Sequence, residues 1–167
     1  SVSDNSICAS SIVNGNGIIS LANRNIDAKI YYLVKAGANP LNKKDWWTNE
    51  DGSGEHPQSF YEDDATWVFR SSTSVKMNLT IGGSNTKVYF DMGPDSVLTI
   101  KADLTLPIVE HKRGLVKVEI DGSLNILNMY TMKDEVSNVS NENYELQQKL
   151  RKNKSRLENN GTVNIYN

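Results

Sequence analysis

Apolar and polar residues alternate without a break from Val97 to Leu106: Leu98, Ile100, Ala102, Leu104 and Leu106 fall on one face, Thr99, Lys101, Asp103 and Thr105 on the other. Period two marks a strand with one buried side. Twenty residues on, the pattern returns as Val118, Ile120, Gly122, Leu124 and Ile126, with Glu119, Asp121, Ser123 and Asn125 facing out, so five inward positions match at one offset. Leu79 and Ile81, preceded by Val75 and Met77 and followed by Gly83, form an earlier copy nineteen residues before Leu98 and Ile100. Gly161-Thr162-Val163-Asn164-Ile165 repeats Gly122-Ser123-Leu124-Asn125-Ile126 thirty-nine residues later, two periods with an insertion between.

A repeat of about 20 residues built of strands, without a helix in each period, predicts an all-β fold of the β-solenoid (parallel β-helix) kind. Each rung is expected to be two short strands joined at a small residue where the chain bends. The inward residues then stack in columns: Leu79, Leu98 and Val118; Ile81, Ile100 and Ile120; Leu104, Leu124 and Val163. Outward Thr99 with Glu119, and Lys101 with Asp121, become neighbours. An antiparallel sandwich also alternates but has no reason to repeat at a fixed offset.

Residues 134–159 interrupt the strands with a charge-rich stretch free of Gly and Pro, and Val136, Val139, Leu146, Leu150 and Leu157 share one helical stripe, which predicts an inserted helix. Residues 71–167 are thus read as the solenoid. Residues 1–70 are read as its N-terminal cap and lead-in: alternating Ile26, Ala28, Ile30, Tyr32 and Val34, a turn at 35–40, a long polar loop over 41–64, and strand character again at Thr66–Arg70. A stack of strands needs a cap because its end exposes apolar columns and unpaired edges.

Composition narrows the classes. Net charge is −2, with 18 Lys plus Arg against 20 Asp plus Glu, which gives no basic footprint for a nucleic acid. The single Cys8 excludes an internal disulfide and a thiolate metal site. The longest uninterrupted apolar run, Ile30–Val34, is far short of a bilayer span, so no membrane insertion is expected. Neither His56 nor His111 has metal-ligand spacing to another ligand, and both are read as polar loop residues. Glu62-Asp63-Asp64 with Glu50-Asp51 has oxygens that could hold calcium but fits no EF-hand spacing, and is read as a solvated acidic loop. Asp103, Glu119 and Asp121 beside Lys101, Arg113 and Lys117 keep a polysaccharide-cleaving groove open as an alternative. No cofactor, metal or catalytic residue is assigned.

The aromatic group Trp46, Trp47, Phe60, Tyr61 and Trp67 has capping as its simpler use; Trp46, Trp47 and Tyr61 are the candidate glycan contacts. The last repeat, Thr162, Val163, Asn164, Ile165 and Tyr166, is the candidate assembly edge, expected to stack on a continuation of the solenoid or on another subunit.

The runs Trp47-Thr48-Asn49-Glu50-Asp51-Gly52-Ser53-Gly54 and Pro57-Gln58-Ser59-Phe60, with Tyr31-Tyr32-Leu33, Ala36-Gly37-Ala38-Asn39 and Thr66-Trp67-Val68-Phe69, resemble the lead-in of large secreted β-solenoid surface proteins of gliding, Bacteroidetes-type bacteria. Those proteins follow it with Gly-x-Leu-x-Ile strands like Gly122–Ile126. The resemblance implies an extracellular or cell-surface, non-enzymatic role as an adhesin module or a filament-forming subunit. The alternatives are a carbohydrate-binding or polysaccharide-cleaving β-helix and, third, a viral fibre or capsid accessory protein.

Overall fold

The computed structural model describes residues 28–133 and 154–166. Half of these residues are in strands, with almost no helix, and the strands form one curled, parallel sheet. In chain order they are β1 (Lys29–Leu33), β2 (Ala65–Phe69), β3 (Thr73–Val75), β4 (Leu79–Thr80), β5 (Lys87–Asp91), β6 (Val97–Ile100), β7 (Asp103–Val118), β8 (Ser123–Met132), β9 (Ser155–Asn159) and β10 (Thr162–Ile165). A single 3-10 turn, Lys43–Asp45, is capped by the Asn42 side chain.

Three lines of parallel pairing run through the sheet. β1, β2, β5, the middle of β7 and the end of β8 follow one another, bringing Leu33, Phe69, Phe90, His111 and Met132 into register. β3, β6, the end of β7 and β9 form a second line, with Thr73, Leu98, Val116 and Leu157 stacked. β4, the start of β7, the start of β8 and β10 form a third, with Leu79, Leu104, Leu124 and Val163 stacked. The middle of each column is dry: Leu98, Val116, Leu104, Leu124, Phe69, Phe90 and His111 are fully buried. The long β7 bends twice to serve all three lines. Pro107, which has no N–H to leave unpaired, lies at the first bend, and Gly114, with φ of +95°, lies at the second.

The expected repeat is therefore present, but the constant register is not. Leu104 lies beside Leu124, and Gly122–Ile126 aligns with Gly161–Ile165, as the repeat requires. Leu98, however, pairs with Val116 and Ile100 with Val118. Ile100 is flanked by Val75 and Val118, not by Ile81 and Ile120, and Ile120 is 79% exposed. The cause is turn length. Two residues, Lys101 and Ala102, separate Ile100 from Asp103, whereas four, Glu119 to Gly122, separate Val118 from Ser123. The extra pair pushes Ile120 outward and restores the twenty-residue offset only after the bend. Thr99 accordingly neighbours Lys117 rather than Glu119. Leu79 belongs with Leu104, not Leu98.

β1 is where a strand was expected, with the opposite face buried: Tyr31 and Leu33 point in, Ile30 and Tyr32 out. Alternation over Ile26–Val34 pointed to the other face, but Ile30–Val34 is apolar at every position, so either parity buries apolar side chains there. Ser155–Asn159, the end of the expected helix, is a strand paired with β7, and Leu157 packs against the core. Residues 134–153, the rest of that helix, lie outside the described residues, as do 1–27 of the expected cap.

The glycines of the two Gly-x-Leu/Val-Asn-Ile strands mark a close backbone approach. A Cβ on Gly161 would overlap the carbonyl oxygens of Glu119 and Gly122, and one on Gly122 the carbonyl of Ile100. Backbone cannot yield as a flexible side chain can. Gly161→Ala is expected to cost about 1–3 kcal/mol, an overpacking penalty read by denaturant titration. An unchanged midpoint would show that the bend relaxes freely.

Candidate functional site

The two ends of the curled sheet differ, and the difference defines the candidate site. At the N-terminal end, residues 34–64 lie over the first strands. Val34–Ala38 runs above Arg70–Thr73: Arg70 N–H donates to the Leu33 carbonyl at 3.0 Å, Ser71 Oγ to that of Lys35 at 3.2 Å, and the Thr73 hydroxyl to that of Ala38. Phe60–Asp64 runs above Gly82–Thr86: Gly82 N–H donates to the Phe60 carbonyl at 2.9 Å and Thr86 Oγ1 to that of Glu62 at 2.8 Å. On the outer side of β1 an isolated antiparallel bridge joins Tyr32 to Trp47, which exchange hydrogen bonds of 2.7 and 2.9 Å.

Trp46 fills the core beneath this loop. It is fully buried, donates Nε1–H to the Pro40 carbonyl at 2.9 Å, and stands edge-on to Trp67 and Phe69 with ring centroids 5.0 and 5.1 Å away. A ring so enclosed offers no face to a sugar, so Trp46 leaves the set of glycan contacts. Trp47 is half-buried between Lys35, whose ammonium lies 4.2 Å from the ring centroid, and His56 at 4.3 Å. Tyr61, 61% exposed, stays open to solvent and packs over Gly82. The three residues form no common platform.

The lead-in motif folds onto itself. Thr48 N–H donates to the Glu55 carbonyl and Glu55 N–H to Thr48 Oγ1; Asn49 N–H donates to the Ser53 carbonyl, and the Asp51 carboxylate accepts from Ser53 N–H. Its polar residues satisfy the loop's own backbone.

Glu62 is likewise structural: its carboxylate accepts from Lys29 Nζ at 2.9 Å, Tyr31 Oη at 2.8 Å and the Gln58 backbone at 2.8 Å. Burial opposes its ionisation, yet the bonds from Lys29, Tyr31, Gln58 and Ser59 outweigh that and hold its carboxyl below the usual range. Among the described residues no three His, Cys, Asp or Glu side chains gather as a metal site. Of the residues considered for a cleaving groove, Asp103 accepts from the Ser123 hydroxyl at 2.6 Å and Arg113 Nε donates to Asp91 at 2.6 Å. A groove of about 1090 Å³ crosses the outer face of β2, β5, β7 and β8, lined by Asp64, Thr66, Lys87, Ile108, Glu110 and Met129.

His111 is not a loop residue. It is a fully buried member of β7, aligned with Phe90, with Nε2 2.8 Å from the Gly114 carbonyl and Nδ1 2.6 Å from Tyr130 Oη. The alternation Val109, Glu110, His111 carried the signal, since position 111 has the inward parity.

At the C-terminal end, among the described residues, β10 pairs with β8 alone, β9 with β7 alone, and the Met129–Met132 half of β8 with β7 alone, just as at the other end β1 pairs with β2 alone, β3 with β6 alone and β4 with β7 alone. Thr162 N–H donates to Gly122 and Tyr166 N–H to Ile126, so the even-numbered amides face β8 and those of Val163 and Ile165 point to the free edge. Leu127, Met129, Met132, Ile165 and Tyr166, 42–55% exposed, collect on these last strands. Asn164 Nδ2 donates to Asn125 Oδ1 at 2.8 Å, a side-chain ladder that ends at the edge. Thr162, Val163, Asn164, Ile165 and Tyr166 thus stand together at a sheet edge.

No known protein family matches the chain, and no curated protein or solved structure is significantly similar to it. Nothing in these comparisons links the chain to surface proteins of gliding bacteria. Among the described residues no helix is long and apolar enough to cross a membrane.

Proposed function

We propose that the curled sheet is a β-solenoid of three-strand rungs, closed at its N-terminal end by residues 34–64, and that it is a non-enzymatic structural module which joins other β structure through its last rung. One observation carries this reading: among the described residues β10, β9 and the end of β8 are all paired on one side only, and exposed apolar residues gather there. A row of free strand amides and carbonyls is a template for another strand. An extracellular, surface-adhesive setting is part of the proposal and is supported by the lead-in motif.

The test is sedimentation of the purified chain and its Ile165→Pro variant over a wide concentration range. Proline at position 165 removes an outward amide while sparing the bonds to β8, a change that edge strands accept. The chain is expected to associate and the variant to remain monomeric with an unchanged circular dichroism spectrum. Association that survives Ile165→Pro would overturn the edge as the joining surface.

A further inference from the structure

We propose that the Glu62 carboxylate is a proton-operated latch: ionised, it fastens the 58–62 turn to β1, and protonated, it releases that turn while the stacked strands persist.

The geometry carries this, because the two carboxylate oxygens serve different parts of the chain. Oε1 accepts from β1, from Lys29 Nζ at 2.9 Å and Tyr31 Oη at 2.8 Å; Oε2 accepts from the turn, from Gln58 N–H at 2.8 Å and Ser59 N–H at 3.4 Å. Four donors converge on a side chain that is 9% exposed. Only the ionised form accepts at both oxygens, since a proton makes one of them a donor. Neither an ammonium nor a backbone N–H can receive that donor. Tyr31 alone can reverse, and it does so at the expense of the Lys29 ion pair. In either place the proton cuts a tie to β1 or one within the turn.

The turn is also tied by Lys43 Nζ on the Gln58 carbonyl at 3.0 Å, by Gly82 N–H on that of Phe60 at 2.9 Å and by Thr86 Oγ1 on that of Glu62 at 2.8 Å. The strand ladders do not depend on the charge of Glu62, so the release is local. Its consequence is to loosen Phe60, whose ring lies 5.5 Å from Trp67. The charged and titratable groups around the latch are Lys29 and Tyr31 from β1, Lys43, Glu55 and His56, and Asp63 and Asp64 beside it in the chain; Lys87 of β5 is paired with Glu110 at 3.6 Å. Burial opposes ionisation of Glu62, and its four hydrogen bonds outweigh burial, so its carboxyl titrates below the ordinary value near 4.5. The latch is therefore complete above that value and is lost as pH falls through the lower one.

Hydrogen exchange of the full chain, read residue by residue from about pH 7 to about pH 3, tests the latch. Protection of the Gln58 and Ser59 amides, corrected for the intrinsic pH dependence of exchange, is expected to fall roughly tenfold or more at the acid end, ahead of the β7 amides. Glu62→Gln sets an NH2 donor against one group of donors at every pH, so these two amides should exchange fast already at neutral pH and with a flat profile. Tyr31→Phe keeps the ring that lies 4.8 Å from Trp67 and removes one donor, which should move the midpoint of the profile upward. Unchanged protection across the range in the parent chain would overturn the latch, as would loss in step with the β7 amides. A profile as steep in Glu62→Gln as in the parent would overturn Glu62 as the titrating group and point to Asp63, whose carboxylate accepts from Ser84 N–H at 2.7 Å. A midpoint unmoved by Tyr31→Phe would overturn the tie to β1.

Discussion

Trp46→Ala is expected to lower the unfolding free energy by about 3–5 kcal/mol, the cost of deleting a fully buried tryptophan from a packed site. The ring closes the N-terminal end of the core against Trp67 and Phe69, and its N–H satisfies the Pro40 carbonyl. Removing it opens a cavity at the end of the inward columns and leaves that acceptor without its partner. Against a typical stability of about 5–15 kcal/mol, this is a large fraction. Trp47→Ala supplies the contrast, since that ring is half-buried and held mainly by Lys35 and His56. Its expected effect is at most about 1–2 kcal/mol. Urea titration followed by far-ultraviolet circular dichroism compares the two without depending on tryptophan emission. Equal losses would refute the assignment of Trp46 as the plug.

The sequence made the inward faces legible more readily than the stacking. Alternation identified Leu98, Ile100, Leu104, Leu106, Leu124 and Ile126, all fully buried, because period two follows from strand geometry whatever lies next to the strand. Stacking depends on the number of residues spent at each bend, and alternation does not register it. Leu98 beside Val116 and Leu104 beside Leu124 differ by two residues because the bend at Glu119–Gly122 is longer. The exposed Ile120 shows what a constant offset misses. β9 escaped for another reason: with Leu157 its only apolar residue, it offers no alternation to read, and Leu150 seven positions earlier imitates a helical stripe. The register of the last strand was legible because the last repeat copies Gly122–Ile126 position by position, and β10 takes that register. The lead-in motif stood out through its Asn, Asp, Ser and Gly, whose hydrogen bonds prove to lie within its own loop.

Acid should destabilise the fold through His111 before it acts through the carboxylates. Burial pushes the pKa of this imidazole down to about 4, from an ordinary value near 6.5, with the bond to Gly114 only partly offsetting the shift. The Gly114 carbonyl can only accept, so Nε2 carries the proton, and Nδ1 accepts from the Tyr130 hydroxyl. Both nitrogens are satisfied by the neutral ring, which lies between Phe90 and Tyr130 in the core. The unfolded chain takes up a proton at this residue near pH 6.5 and the folded chain only near pH 4. Its stabilising contribution is therefore complete above the higher value, declines as pH falls, and is gone below the lower one. The shift corresponds to about 3 kcal/mol across that window. Glu62, held below the usual carboxylate range, adds its own loss from about pH 4.5 downward, so the upper part of the window belongs to the histidine. His111→Phe extends the Phe69 and Phe90 column and removes the titrating group, at the cost of leaving the Gly114 carbonyl and the Tyr130 hydroxyl without their partner. The slope of stability with pH, not its absolute value, is thus the quantity to compare. Urea midpoints between about pH 7 and about pH 5 should fall steadily in the parent chain and less steeply in the variant. Equal slopes would mean that His111 is charged in the folded state, which its dry, aromatic surroundings do not permit.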